Sequence, residues 1–383
     1  MISISRLLCD SSSFGDELRY NQALTPSLRR PIVVWNATRR CNLACIHCYS
    51  DSHNQRYSGE LNTQEAKRMI KDLAEFKVPV LLFSGGEPLL REDLFELNAN
   101  ALEQGLRSVI STNGTLISRE VARRIKESRF DYVGVSLDGI GANNDRFRGK
   151  SGAYEKALQG IRNLTNLGQK TGLRFTITRH NYADLPAVFK FVENENIGRV
   201  CFYHLVYSGR GSKMLEDDLT HGQMRGCVDS ICEWTESLKR RGKDLEVLTV
   251  DNHADGVYVY LKLKKNNSKR AGEVLRLLRL NGGNNSGIAI ANVDNMGFVH
   301  ADQFWQDYSF GNVKDRPLGE IWMDTSDELM AGLKDRKSKL KGRCARCGFL
   351  DICNGNFRVR AQAVYGDVWQ EDPACYLTEE EIK

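Results

Sequence analysis

The chain of 383 residues is 41% apolar and 27% charged, an ordinary globular composition with room for one large domain and a smaller one. Lysine and arginine exceed aspartate and glutamate by 54 − 49 = 5, too slight a bias, without a dense basic block, to indicate a nucleic-acid partner. No apolar run approaches the ~18 residues of a membrane span, and residues 1–8 lack the pattern of a signal peptide, so a cytoplasmic chain is expected.

Residues 1–30 are expected to form an N-terminal extension. From residue 31 to about 207, apolar runs at 32–35, 78–83, 107–110, 132–135, 174–177 and 200–205 alternate with amphipathic segments. Six strands separated by helices describe parallel βα units over 31–212. The first helix is legible in detail. Asn62 and Glu65 form a capping box, and Ala66, Met69, Ile70, Leu73 and Phe76 recur on one face.

Ligands in such folds sit at the carboxyl ends of the strands, and the polar motifs fall there. CNLACIHC follows the first strand and carries Cys41, Cys45 and Cys48. Three thiolates at CxxxCxxC spacing suit three corners of a cubic iron-sulfur cluster and leave one iron open to a small molecule. Structural zinc favours a CxxC pair with a distant second pair instead. SGGEP (84–88) follows the second strand, STNG (111–114) the third, SLDG (136–139) the fourth, Thr178, Arg179 and His180 the fifth, and YSGRG (207–211) the sixth. Gly85 and Gly86 permit close backbone approach to a ligand, and Glu87 offers a carboxylate to an ammonium group.

Residues 213–287 read as a helical linking region closed by the loop NGGNNSG, and 288–383 as a C-terminal unit with strands and a second cysteine group. Cys344, Cys347, Cys353 and Cys375 form a CxxCx5C with a distant fourth, which by spacing suits either zinc or an all-cysteine 4Fe-4S cluster. The other four of the 11 cysteines, Cys9, Cys201, Cys227 and Cys232, read as small buried hydrophobes.

CxxxCxxC, GGEP, TNG and SxDG in this order resemble the radical S-adenosylmethionine (SAM) superfamily. The resemblance implies an α/β fold, a partial (βα)6 barrel with a smaller C-terminal α+β auxiliary-cluster domain. It implies that S-adenosylmethionine chelates the open iron of a 4Fe-4S cluster on Cys41, Cys45 and Cys48. Glu87 with the Gly85 and Gly86 backbone would hold its amine, Ser136 and Asp138 its ribose, Arg179 its carboxylate. His47 would lie near the adenine, and Asn113 would join the same site. An electron from the cluster would then release a 5′-deoxyadenosyl radical that takes hydrogen from substrate. The block from Gly297 to Cys375 is similar to the family's auxiliary-cluster extension, which implies a second 4Fe-4S cluster on Cys344, Cys347, Cys353 and Cys375. Where that extension often has further cysteines, this chain has Asp302 and Gly355, Asn356 and Phe357, leaving thiolates for one auxiliary cluster.

Longer blocks, including CFYHLVYSGRGS, LTVDNHADG and VHADQFWQDYSFGNV, resemble the radical SAM group that finishes siroheme-derived tetrapyrroles. One branch removes two acetates from 12,18-didecarboxysiroheme to give iron coproporphyrin III; the other replaces two propionates by oxo groups on the way to heme d1. HLVYSGRGSK and EVLTVDNHADG are nearer the first. An iron tetrapyrrole with several carboxylates needs cationic anchors, for which Arg210, Arg358 and Arg360 are candidates, and His204, His253 or His300 is a candidate iron ligand. Flavodoxin or ferredoxin is the implied electron donor. A peptide-modifying radical enzyme is a second reading, disfavoured because only about thirty residues precede the first strand. A non-catalytic metal or heme carrier is a third.

Overall fold

The computed structural model describes residues 1–13, 15–20 and 29–383. Among them a ten-stranded sheet is built from β1 (Ile2–Ser3), β2 (Ile32–Thr38), β3 (Leu81–Gly85), β4 (Ser108–Thr112), β5 (Val133–Ser136), β6 (Thr171–Ile177), β7 (Arg199–His204), β8 (Glu246–Val250), β9 (Ile290–Val293) and β10 (Val299–His300). The spatial order is β1-β8-β7-β6-β5-β4-β3-β2-β9-β10. β2 to β8 lie side by side in chain order and parallel, as successive βα units do. β9 adds parallel to the outer side of β2, while β1 and β10 pair antiparallel with β8 and β9.

Alternation along each strand separates a packing face from a cavity face. In β2, Val33, Trp35 and Ala37 are fully buried in the main core, whereas Val34, Asn36 and Thr38 line cavities. In β6, Leu173, Phe175 and Ile177 join that core, whereas Arg174 and Thr176 face a cavity. The helix Thr63–Glu75 carries the expected capping box and buries Ala66, Met69, Ile70 and Leu73. Each of its larger apolar side chains contributes roughly 1.5–3 kcal/mol by leaving water.

The six strands expected before residue 207 are present. The segment 213–287, expected to be helical, contains the helices His221–Arg240, Ala254–Lys265 and Ala271–Asn281, but it also supplies β8, which extends the parallel sheet beyond β7. EVLTV is five residues long and lies between charged and polar stretches, so its apolar signal is brief. The expected N-terminal extension contributes β1 and buries Ile2, Ile4 and Leu7; its residues 21–28 lie outside the described residues. Among the described residues no helix is long and apolar enough to cross a membrane.

Candidate active site

The cysteine loop leaves β2 and is held from three sides through its backbone. The Gly86 and Glu87 amides donate to the carbonyls of Thr38 and Arg40 at 2.7 and 2.8 Å. The Ala44 and Ile46 amides donate to Arg148 and Phe147 at 3.1 and 3.0 Å, and the Arg210 amide donates to Cys48 at 2.9 Å. Close approach explains two glycines: a methyl on Gly86 would run into the Arg40 carbonyl, and one on Gly209, at φ +55°, into the Tyr49 carbonyl. The GGEP glycines therefore seat the cysteine loop as well as lining the cavity.

Cys41, Cys45 and Cys48 face one cavity of about 150 Å³ at the carboxyl ends of the strands. Burial pushes the Cys41 thiol up to about 12, aided by the Glu87 carboxylate, and raises Cys45 as well. Thiols in that state deprotonate when a metal's positive charge compensates the thiolate. The Ser52 amide donates to Cys48 Sγ at 3.5 Å, and Arg148 Nη1 to Cys45 Sγ at 3.6 Å. Asn113 lines the cavity, its Nδ2 2.9 Å from Asn42 Oδ1 and 3.9 Å from Cys41 Sγ. Ser136, Gly85 and Gly86 line it too.

His47 packs against Phe147 with ring centroids 4.7 Å apart and the planes tilted by 50°, and its Nε2 lies 3.5 Å from Asp138 Oδ2. Burial lowers its pKa to about 4, so the ring is neutral, and its buried Nδ1 has no partner. An unpartnered ring nitrogen beside three soft thiol ligands fits a bound nucleotide and an iron-sulfur cluster.

Several expected residues stand differently. Glu87 is fully buried behind the wall, where its carboxylate accepts from Thr112 Oγ1 at 2.7 Å, the Asn113 amide at 2.8 Å and the Leu89 amide at 3.1 Å. It joins the GGEP turn to the TNG loop. Asp138 is also behind the wall, accepting from the Thr176 amide at 2.7 Å and lying 2.5 Å from Arg148 Nη2. Arg179 is exposed and donates to the Asp218 carbonyl at 3.2 Å, away from the cavity.

The proposed substrate anchors are committed elsewhere. Arg210 grips the cysteine loop, donating to the Cys45 carbonyl, Asp51 Oδ1 and the Ser52 carbonyl at 2.8, 2.8 and 3.0 Å. It borders a neighbouring cleft of about 410 Å³ that shares Tyr49 and Ser50 with the inner cavity. Arg358 is fully buried against the carbonyls of Gly355, Val368 and Gln370, and Arg360 pairs with Asp372 at 2.8 Å. His204 lines the cavity with Nε2 2.8 Å from Asp255 Oδ2 and Nδ1 3.4 Å from Asn252 Nδ2. His300 Nδ1 lies 2.7 Å from the Tyr308 carbonyl, and neither His300 nor His253 lines the cavity. Arg148, Arg174, Asp251 and Gln303 do line it and were not singled out by the sequence. Arg148 follows SLDG by one short helix, and Arg174 is the lone charge in TGLRFTI; those were the available signals.

Residues 35–192 match the radical SAM superfamily. The chain is 57% identical to the Fe-coproporphyrin III synthase of Methanosarcina barkeri, over 100% of this chain and 99% of that protein. The chain belongs to the radical SAM superfamily. It is also 46% identical to the pre-heme d1 synthase of Dinoroseobacter shibae, covering 91% of this chain and 87% of that one. Among solved structures, Streptococcus suis SuiB superposes with a TM-score of 0.71 at 18% identity, over 91% of this chain and 78% of SuiB. AnSMEcpe with bound AdoMet does so with a TM-score of 0.68 at 19% identity, over 90% and 93%. These two likenesses concern the fold: the radical SAM α/β sheet followed by a C-terminal auxiliary region.

In this radical SAM enzyme the four C-terminal cysteines share an electrostatic environment. The buried Cys353 thiol is raised well above its ordinary range by burial first, then by Cys375, Cys344 and Cys347. Burial also takes Cys375 up to about 12. Cys353 ends the short helix Leu350–Cys353, and the Cys347 amide donates to the Cys344 carbonyl at 3.2 Å. Among the described residues, no three His, Cys, Asp or Glu side chains are gathered closely enough to hold a single metal ion. Where related extensions carry further thiols, Asp302 accepts from Ser286 Oγ at 2.5 Å and from the Phe304 amide at 2.9 Å. Asn356 bridges the His253 amide and Asn252 Oδ1 at 2.8 and 2.7 Å. At those positions Asp302 and Asn356 make hydrogen bonds that tie the C-terminal unit together and to the segment after β8.

Proposed function

We propose that this radical SAM enzyme removes the two acetate side chains of 12,18-didecarboxysiroheme to give Fe-coproporphyrin III. The observation that carries the reading is end-to-end identity of 57% with a protein named Fe-coproporphyrin III synthase, against 46% for the pre-heme d1 synthase. Cys41, Cys45 and Cys48 hold one 4Fe-4S cluster, and Cys344, Cys347, Cys353 and Cys375 an auxiliary one suited to electron relay. The first cluster, when loaded, supplies the electron that cleaves S-adenosylmethionine to a 5′-deoxyadenosyl radical. The backbone of Gly85 and Gly86, with Asn113, Ser136 and His47, binds that nucleotide. Glu87 and Asp138 act from behind, keeping the TNG loop and the Arg148 turn in place. Residues 31–212 form a partial barrel and 288–383 the auxiliary domain, with flavodoxin or ferredoxin as reductant.

Product mass tests this. Anaerobically reconstituted protein given 12,18-didecarboxysiroheme, S-adenosylmethionine and dithionite should yield a tetrapyrrole that has lost two acetates, and Cys45→Ala should stop 5′-deoxyadenosine formation. Replacement of two propionates by oxo groups would assign the heme d1 reaction instead.

A further inference from the structure

The inner cavity has two differently equipped sides. One, at the ends of β3, β4 and β5, carries the glycines, Asn113 and Ser136 beside the cysteine loop. The other is formed by β6, the ends of β7 and β8, and the segment 303–304. On that second side three polar groups have no partner. The Arg174 guanidinium lies 4.7 Å over the Tyr203 ring and, among the described residues, makes no hydrogen bond or ion pair. The Gln303 amide likewise makes none, and its Oε1 is buried. Asp251 is 6% exposed at φ +68°, its Oδ2 buried without a donor and farther from Arg174 than the 4.0 Å of an ion pair.

A half-buried guanidinium held without a hydrogen bond or ion pair is poorly compensated, and a non-glycine residue held at positive φ, as Asp251 is, adds strain of about 1–3 kcal/mol. Such groups call for a partner, and a ligand in the cavity they line would supply one. The cavity's other arginine, Arg148, is already paired with Asp138. Arg174 therefore remains as the uncommitted cation, on an inward position of an otherwise uncharged strand.

We propose that Arg174, assisted by the Gln303 amide, forms a carboxylate subsite that anchors a side chain of the tetrapyrrole substrate. This rests on the function proposed above. Both the tetrapyrrole and S-adenosylmethionine carry carboxylates; the subsite lies on the strands away from the glycine turn, which favours the tetrapyrrole. Asp251 sets the polarity of the same wall, since a carboxylate beside it is disfavoured and an ammonium group would be favoured.

The test is a pair of anaerobic titrations on the reconstituted protein: 12,18-didecarboxysiroheme followed by its absorption, and S-adenosylmethionine by equilibrium dialysis. Arg174→Met should weaken tetrapyrrole binding about tenfold or more, as loss of a charge-assisted hydrogen bond does, with nucleotide affinity and iron per chain unchanged. Arg174→Lys should recover part of the affinity, and it decides the matter alone if the methionine variant does not fold. Asp251→Asn should tighten tetrapyrrole binding. Unchanged tetrapyrrole affinity in both Arg174 variants would overturn the subsite, as would a loss confined to S-adenosylmethionine or weaker binding in Asp251→Asn. If the wild-type protein itself fails to bind the tetrapyrrole, the proposed function falls and this subsite with it.

Discussion

Removal of the Asp372 carboxylate probes the junction between the C-terminal unit and the sheet. Arg360 and Asp372 are both fully buried. Arg360 donates to Asp372 from Nε at 2.9 Å and from Nη2 at 2.8 Å, and also to the Leu205 and Asp251 carbonyls at 3.0 and 2.6 Å. The ends of β7 and β8 thus hang on one guanidinium. Asp372→Ala leaves that cation without its counter-charge, at a cost of ~3–5 kcal/mol. It also strands the Phe357 and Ala374 amides, each 2.9 Å from the carboxylate, for about 1 kcal/mol or more apiece. A loss of roughly 5–7 kcal/mol is expected, comparable with the whole stability of a marginal domain. Arg360→Met with Asp372→Leu removes both charges together and should lose far less. Burial would raise the Asp372 pKa, but the guanidinium outweighs it and holds the carboxyl below the usual range. Its contribution is therefore present above the unfolded carboxylate pKa and lost as pH falls through the folded one. Anaerobic guanidinium denaturation, followed by circular dichroism, measures these differences. Asp372→Ala within about 1 kcal/mol of wild type, or a double variant no more stable than the single, would refute the reasoning.

Glu87 behaves oppositely. Burial raises it to about 7, more than its three donors lower it, so stability in the nucleotide-free protein is full below the unfolded pKa and falls by about 3 kcal/mol as pH rises through 7. Glu87→Gln should flatten that dependence; an unchanged pH slope in denaturation midpoints would count against it. Gly86→Ala drives a methyl into the Arg40 carbonyl and should displace the start of the cysteine loop. Reconstitution should then yield about four irons per chain instead of about eight, and a full complement with normal 5′-deoxyadenosine formation would show that the loop tolerates the methyl.

What was legible in the sequence is what local spacing determines. CxxxCxxC, GGEP, TNG and SLDG follow successive strands, and the structure places cysteines, glycines, Asn113 and Ser136 from all four around one cavity. β8 escaped because five apolar-leaning residues between charged segments give little periodic signal, and its position is set by pairing with β7 and β1. The role of Gly86 was only half visible, since the carbonyl it must clear belongs to Arg40, forty-six positions earlier in the chain.

The arginines show why the substrate side was harder. Arg210, Arg358 and Arg360 stand in motifs that resemble a tetrapyrrole enzyme, yet each is surrounded by carbonyls or a carboxylate that already accept its protons. A guanidinium has five donors on a long stem, so its availability depends on how many acceptors the folded chain brings within reach, a tertiary property. Arg174 makes no hydrogen bond or ion pair, because the fold sets it over the Tyr203 ring at the edge of the cavity with the Asp251 carboxylate beyond ion-pair distance. The cation left for a ligand is therefore the one whose sequence context looked most like ordinary strand, and with the Asp251 carboxylate on the same wall the ligand's charge has to meet Arg174 and clear Asp251.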